Sequence, residues 1–109
     1  AGILEKRLKI GQALQVDASI VYAACRGTYY NCPVLSRSDF SLDTPWNTYL
    51  YPGLPKGPIS NPGLSAIEAV KNPTASNHLY YLSDPETGDI IFSETFEEHN
   101  ENRAKFLGL

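Results

Sequence analysis

The sequence predicts a single α+β domain in which short helices pack around a small antiparallel β-hairpin, with one long loop rich in proline and glycine. Three observations carry that prediction. Helix-like apolar spacing recurs in three separate stretches, near residues 2–10, 62–72 and 96–106. One strand–turn–strand pattern occupies residues 78–93. Between them, residues 52–63 hold four prolines and three glycines, a density that no helix or central strand accepts. The length, 109 residues, is that of one domain, and 42% hydrophobic with 19% charged residues is ordinary globular composition, which argues against a disordered chain or a coiled coil.

Taken in order, the first helix is expected over residues 2–10, with Ile3, Leu4 and Leu8 on one face and basic residues on another, stopping at Gly11, which tolerates the left-handed backbone that ends helices. A polar link over residues 12–16 leads to Asp17, a candidate cap for a second short helix over residues 18–24. The Ser-Ile-Val-Tyr run there also suits a buried strand, and helix is the reading adopted. Residues 25–45 read as loop, with a turn of helix at 38–42, and residues 46–51 (Trp46-Asn47-Thr48-Tyr49-Leu50-Tyr51) read as extended.

The loop over 52–63 is expected to be shaped and rather rigid, because proline fixes φ and biases the residue before it to extended geometry. Asn61 is placed as the cap of a third helix, with Pro62 at its first position and Leu64, Ile67 and Val70 on one face, ending near Asn72-Pro73. Strands over 78–83 and 89–93 flank the turn Asp84-Pro85-Glu86-Thr87-Gly88. Thr95 with Glu98 forms a capping box that starts the last helix, which aligns Phe96, Asn100, Arg103 and Leu107 and runs to about Phe106.

Charge and spacing narrow the function classes. A formal charge of −3 argues against a general phosphate-binding surface, and hence against nucleic acid. No apolar run approaches the roughly 18 residues that span a membrane. The chain has no methionine and opens inside an amphipathic helix without a cap. It is therefore expected to be a fragment whose N-terminal part lies elsewhere, and the absence of a targeting segment says nothing of compartment. Cys25 and Cys32 enclose a short segment rich in tyrosine. As a disulfide they would contribute roughly 2.5 kcal/mol in the chain-entropy picture, as cytosolic residues they would be two thiols, and the residues themselves leave that choice open. A metal site recruiting His78 and His99 matches no zinc spacing. His99 reads as a helix residue bonded at the surface or to a loop. As a catalytic base it would need a nucleophile partner, and no nucleophile-elbow motif occurs.

Several segments, taken in order, carry a resemblance: Arg7-Leu8-Lys9-Ile10-Gly11, Leu14-Gln15-Val16-Asp17, Ile20-Val21-Tyr22, Trp46-Asn47-Thr48-Tyr49, residues 53–63 (GLPKGPISNPG), Leu79-Tyr80-Tyr81-Leu82, and Phe92-Ser93-Glu94-Thr95 with Glu98-His99-Asn100. Together they resemble the YceG-like family of membrane-anchored endolytic murein transglycosylases, with Lys6 where that family usually has asparagine. The resemblance covers nearly the whole chain. It implies cleavage between N-acetylmuramic acid and N-acetylglucosamine inside peptidoglycan strands, leaving 1,6-anhydro ends, with no cofactor.

One carboxyl group can suffice for this chemistry, since the sugar's own C6 hydroxyl replaces the water that ordinary glycosidases activate with a second carboxylate. The family's catalytic glutamate lies in a helix before the Arg7-Leu8-Lys9-Ile10-Gly11 element, so no catalytic residue is assigned in this chain. Glu5 does not match the motif position and reads as an exposed helix charge, and the glutamates at 94, 97, 98 and 101 read as a solvated helix start.

The resemblance further favours a disulfide between Cys25 and Cys32. It implies an extracytoplasmic location on an N-terminal anchor absent from this sequence, glycan strands as partner, and contacts with cell-wall synthesis proteins. The residues expected to contact glycan are Gln15, Asp17, Asn47, Tyr49 and Asn61, with Trp46, Tyr49 and Tyr51 offering rings that stack on sugar faces. Competing readings are a non-catalytic polysaccharide-binding module and, more remotely, an aminodeoxychorismate lyase, a pyridoxal phosphate enzyme for which Lys56 is a poor Schiff-base candidate.

Overall fold

The structure is a computed structural model that describes residues 1–27, 32 and 35–109. The expected loop over 25–45 includes positions 28–31, 33 and 34, which lie outside the described residues. Among the described residues the order is α1 (Gly2–Ile10), α2 (Asp17–Ala24), a single 3-10 turn (Arg37–Ser41), α3 (Leu64–Lys71), β1 (Tyr80–Ser83), β2 (Ile90–Ser93) and α4 (Phe96–Asn102), which continues into one wide π turn (Arg103–Leu107). The class is α+β, as the sequence predicts.

α1 ends as expected. Gly11 takes a left-handed φ of 74°, and the amides of Gln12 and Gly11 donate to the carbonyls of Arg7 at 2.9 Å and Leu8 at 3.4 Å, closing the helix with a Schellman pattern. Its buried face differs from the apolar stripe read from sequence. Ile3 and Arg7, one turn apart, point inward, while Leu8 and Ile10 are exposed. α2 is a helix, not the alternative strand, but Asp17 is its first residue and not its cap: Val16 occupies that position with no side-chain bond.

The segment over 46–51 is not extended but a run of turns. Asn47 explains this. Its amide nitrogen donates to the carbonyls of Phe40 (3.0 Å) and Leu42 (2.8 Å), and its Oδ1 accepts from the amides of Tyr49 (2.9 Å) and Leu50 (3.2 Å). A side chain satisfying four backbone positions curls the chain about itself, where a strand would use those groups in a ladder.

Residues 52–63 form an irregular loop, as expected. Gly57 lies against the Trp46 ring, where an added Cβ would come within 3.3 Å of it, and Trp46 in turn packs on Tyr22 with centroids 4.7 Å apart. Trp46 is thus an interface aromatic between α2 and the loop. The cap of α3 is Gly63 and not Asn61, so the helix starts two residues later than the sequence suggests, and Leu64, Ile67 and Val70 lie exposed.

β1 and β2 pair antiparallel with Tyr80 opposite Ser93 and Ser83 opposite Ile90. Asp84 holds the turn by accepting from the amide of Glu86 (2.9 Å) and the hydroxyl of Thr87 (3.1 Å). Thr95 accepts from the amide of Glu98 at 3.2 Å. The return bond of the capping box goes one residue further back, from the Glu94 amide to Glu98 Oε2 at 3.1 Å. The buried centre joins Ile3, Leu14, Ile20 and Leu82 to polar residues: Arg7, Ser19, Asn47, Thr48 and Ser93. Cys25 and Cys32 are bonded as a disulfide with Cα atoms 5.8 Å apart, and Cys25 is buried beside α2.

Candidate functional site

An open cleft of about 530 Å³ is lined by Arg7, Gln15, Asp17, Tyr49, Tyr81, Leu82, Ser83, His99, Arg103 and Leu107. Five parts of the chain meet there: the end of α1, the start of α2, the turn at Tyr49, β1, and α4 with its π turn.

Thr48 brings the second of these to the turn that carries Tyr49. Its Oγ1 accepts from the Val16 amide at 3.0 Å and lies 2.9 Å from Ser19 Oγ, while its carbonyl accepts from the Gln15 amide at 3.1 Å. Ser19 Oγ also donates to the Val16 carbonyl at 2.7 Å. This buried network clamps the chain through Gln15, which holds a left-handed φ of 53°, unusual for a residue with a side chain. One residue on, the Tyr49 hydroxyl donates to Asp17 Oδ1. Burial, then the hydrogen bond to Asp17 and its negative charge, hold the Tyr49 hydroxyl far above the usual phenol range, so it stays protonated as a donor at any physiological pH.

The cleft also holds basic residues. Arg7 is 4% exposed, and its Nε and Nη2 donate to the Leu79 carbonyl at 2.9 and 2.8 Å while Nη1 donates to the Leu14 carbonyl at 2.7 Å. Its guanidinium also lies over the rings of Tyr80 and Tyr81, 5.4 and 5.9 Å from their centroids. His99 stacks on Tyr80 at 5.3 Å. Its pKa is lowered, first by burial and then by the charges of Arg103 and Arg7, so the imidazole is neutral near pH 7. Its Nδ1 is buried with no hydrogen-bond partner among the described residues.

Of the residues expected to contact glycan, the cleft gathers Gln15, Asp17 and Tyr49. Asn47 does not line it: the side chain is 1% exposed and spends its hydrogen-bonding capacity on the turn, so the contact role expected of it gives way to a structural one. Asn61 is exposed on the Pro/Gly loop, outside the cleft, as are Ser60 and Lys56. Trp46 packs on Tyr22, and the Tyr51 hydroxyl bonds Asp43, so neither ring stands in the cleft.

Of the residues expected to align in the last helix, Arg103 and Leu107 line the cleft, and His99 joins them in place of Phe96 and Asn100. Sequence reasoning missed Arg7, His99 and Arg103. For Arg7 the available signal was its spacing of four from Ile3 on the side that faces inward. His99 and Arg103, also four apart, form a comparable stripe.

The comparisons with known proteins agree with one another. A sequence profile of the YceG-like family matches residues 1–105. The chain is 36% identical over 107 residues to an endolytic murein transglycosylase of Bacillus subtilis and 33% identical over 108 residues to one of Streptococcus pneumoniae; 98% of the chain is covered in each case. The crystal structure of a YceG-like protein from Listeria monocytogenes superposes with a TM-score of 0.82 and 39% identity over 92% of the chain. The chain spans 28% and 20% of the two curated relatives and 31% of the Listeria chain.

Proposed function

Since the chain belongs to the YceG-like family, we propose that it is the C-terminal part of the catalytic domain of an endolytic murein transglycosylase, and that its cleft holds a peptidoglycan strand. The observation that carries this reading is the Asp17–Tyr49 pair in an open cleft, assembled from the Leu14-Gln15-Val16-Asp17 and Asn47-Thr48-Tyr49 segments by the Thr48 clamp. Glycans are bound through hydroxyl and N-acetyl groups that both donate and accept. With Tyr49 donating to Oδ1, the second carboxylate oxygen of Asp17 is open to a sugar hydroxyl or amide N–H, and the Tyr49 oxygen keeps lone pairs for another. The Gln15 amide at the rim adds both a donor and an acceptor. The Asp17–Tyr49 pair is held before substrate arrives, so little ordering cost falls on its part of the binding.

In the proposed reaction a carboxylic acid contributed by a part of the protein upstream of Ala1 protonates the oxygen linking N-acetylmuramic acid to N-acetylglucosamine. As that C–O bond breaks, the C6 hydroxyl of the N-acetylmuramic acid attacks its own C1 and gives its proton to the same carboxylate. The ring closes to a 1,6-anhydro end without water. The residues of this chain bind and orient the strand so that C6 faces C1, the geometry that replaces a second carboxylate. The reading places this activity at the outer face of the cytoplasmic membrane, on an N-terminal anchor. Among the described residues no helix is long and apolar enough to cross a membrane.

The test is product analysis by mass spectrometry after the complete protein digests purified glycan strands. Internal cleavage with 1,6-anhydro ends is expected, and Tyr49→Phe is expected to lower kcat/KM about tenfold, the effect of one hydrogen bond of roughly 1.4 kcal/mol. Hydrated reducing ends would replace the lyase reading with a hydrolase, and strand binding without any cleavage would make the cleft that of a binding module.

A further inference from the structure

Two arginines and one aspartate line the cleft, a local excess of positive charge in a chain whose formal charge is −3. An uncharged sugar backbone gives no reason for that excess. The positive side is also built with care. Arg7, His99 and Arg103 form one contiguous corner, with Tyr80 between Arg7 and His99 and with Arg103 one helical turn beyond His99. The wide π turn over Arg103–Leu107 carries Arg103 and Leu107 into the same cleft.

Donors are left over on all three residues. Among the described residues the bonds of Arg7 go to the carbonyls of Leu79, Leu14 and Ala13, which leaves one Nη2 hydrogen unused and its positive charge against carbonyl oxygens and two aromatic rings, with no carboxylate. Among the described residues the one side-chain bond of Arg103 runs from Nη1 to Asn100 Oδ1 at 3.3 Å, leaving most of its fork unused. The unpartnered, buried Nδ1 of His99 is best left as a lone pair, which puts the proton of the neutral ring on Nε2, the nitrogen a ligand oxygen can reach.

Two guanidinium groups and an imidazole that line one cleft, with the charges of both arginines reaching the imidazole, match a carboxylate, which accepts several charge-assisted hydrogen bonds at once. We propose that the Arg7–His99–Arg103 corner binds a carboxylate on the peptide stem attached to N-acetylmuramic acid, so that the cleft reads the stem as well as the glycan. This rests on the murein reading for its substrate. The carboxylate site itself follows from the three side chains.

Arg103 is the residue to vary, because its one bond lies at the surface whereas Arg7 also holds the fold. In the complete protein, Arg103→Gln is expected to raise KM about tenfold on stem-bearing strands with kcat little changed. On strands whose stem carboxylates are amidated it is expected to leave KM as in the wild type, and on stem-bearing strands Arg103→Lys should recover part of the loss. An equal loss on both kinds of strand would overturn the proposal in favour of a carboxylate supplied by the protein itself, and no loss on either would overturn it outright.

A second measurement stands apart from cleavage. Free stem tripeptide titrated into the complete protein is expected to shift the His99 ring resonances, and the same peptide with its carboxylates amidated is not. Shifts with a protein that cleaves no strand would retain the carboxylate site and sink the murein reading. Equal responses to both peptides would sink the site.

Discussion

Replacing Arg7 with methionine is expected to lower the folding free energy by about 4 kcal/mol. Methionine fills much of the space of the arginine stem, so lost packing is a minor part of the effect. The major part is electrostatic. The guanidinium bridges the Leu79 carbonyl, just before β1, and the Leu14 carbonyl, just before α2, while its own backbone belongs to α1. Removing it leaves two part-buried carbonyls short of donors, at about 1–3 kcal/mol each, and unties three elements at one point. Urea denaturation of the protein and its variant checks this: the midpoint should fall with the slope unchanged. A loss below about 1 kcal/mol would mean that water or a neighbouring donor replaces the guanidinium. Arg7→Lys should recover only part, since one ammonium cannot reproduce the planar fork.

Asn47→Leu is expected to cost about 3 kcal/mol, for a related reason. The side chains share a skeleton branched at Cγ, but leucine is bulkier and abandons the carbonyls of Phe40 and Leu42 and the amides of Tyr49 and Leu50 in a buried turn. The turn presents the Tyr49 hydroxyl to Asp17, so the loss reaches the cleft through geometry: glycan cleavage by the complete protein should fall along with its thermal midpoint. Asn61→Ala, on the exposed loop, should change stability by no more than about 0.5 kcal/mol. Thermal denaturation of the two variants side by side separates the roles. A stable Asn47→Leu protein with selectively lost cleavage would return Asn47 to direct substrate contact.

The contrast between these two asparagines shows why the site was only partly legible in the sequence. Both sit in motif-like segments, and both read as candidates for amide contacts with sugar. Whether an asparagine faces solvent or satisfies four backbone groups depends on where the chain turns. The Asn47 turn closes on Phe40 and Leu42, several residues away, in a way no local pattern announces. Asp17 shows the converse. Its type suggested a cap, and the register of α2 shifted by one residue because Thr48, thirty-two positions on from Val16, supplies the bonds that fix the helix start. Tyr49 and Gln15 reach the cleft by the same clamp. His99 and Arg103 escaped because a histidine and an arginine on a polar helix look like solvated residues until β1 packs alongside.

What the sequence by itself determined is what depends on neighbours along the chain. The α+β class, the Gly11 helix stop, the hairpin with its Asp84 turn and the Thr95 cap all follow from periods, from backbone-specific residues and from side chains that reach two to four positions away. The ordered motifs also carried the family. Only the tertiary structure decided which polar side chains became part of the core and which became the cleft. Arg7, Asn47 and Thr48 are buried because each finds backbone partners supplied by other segments. Asp17, Tyr49, His99 and Arg103 keep unused bonding capacity at one opening because five segments of the chain converge there. Burial of a polar group is favourable only where partners converge on it, and that convergence is a property of the folded chain.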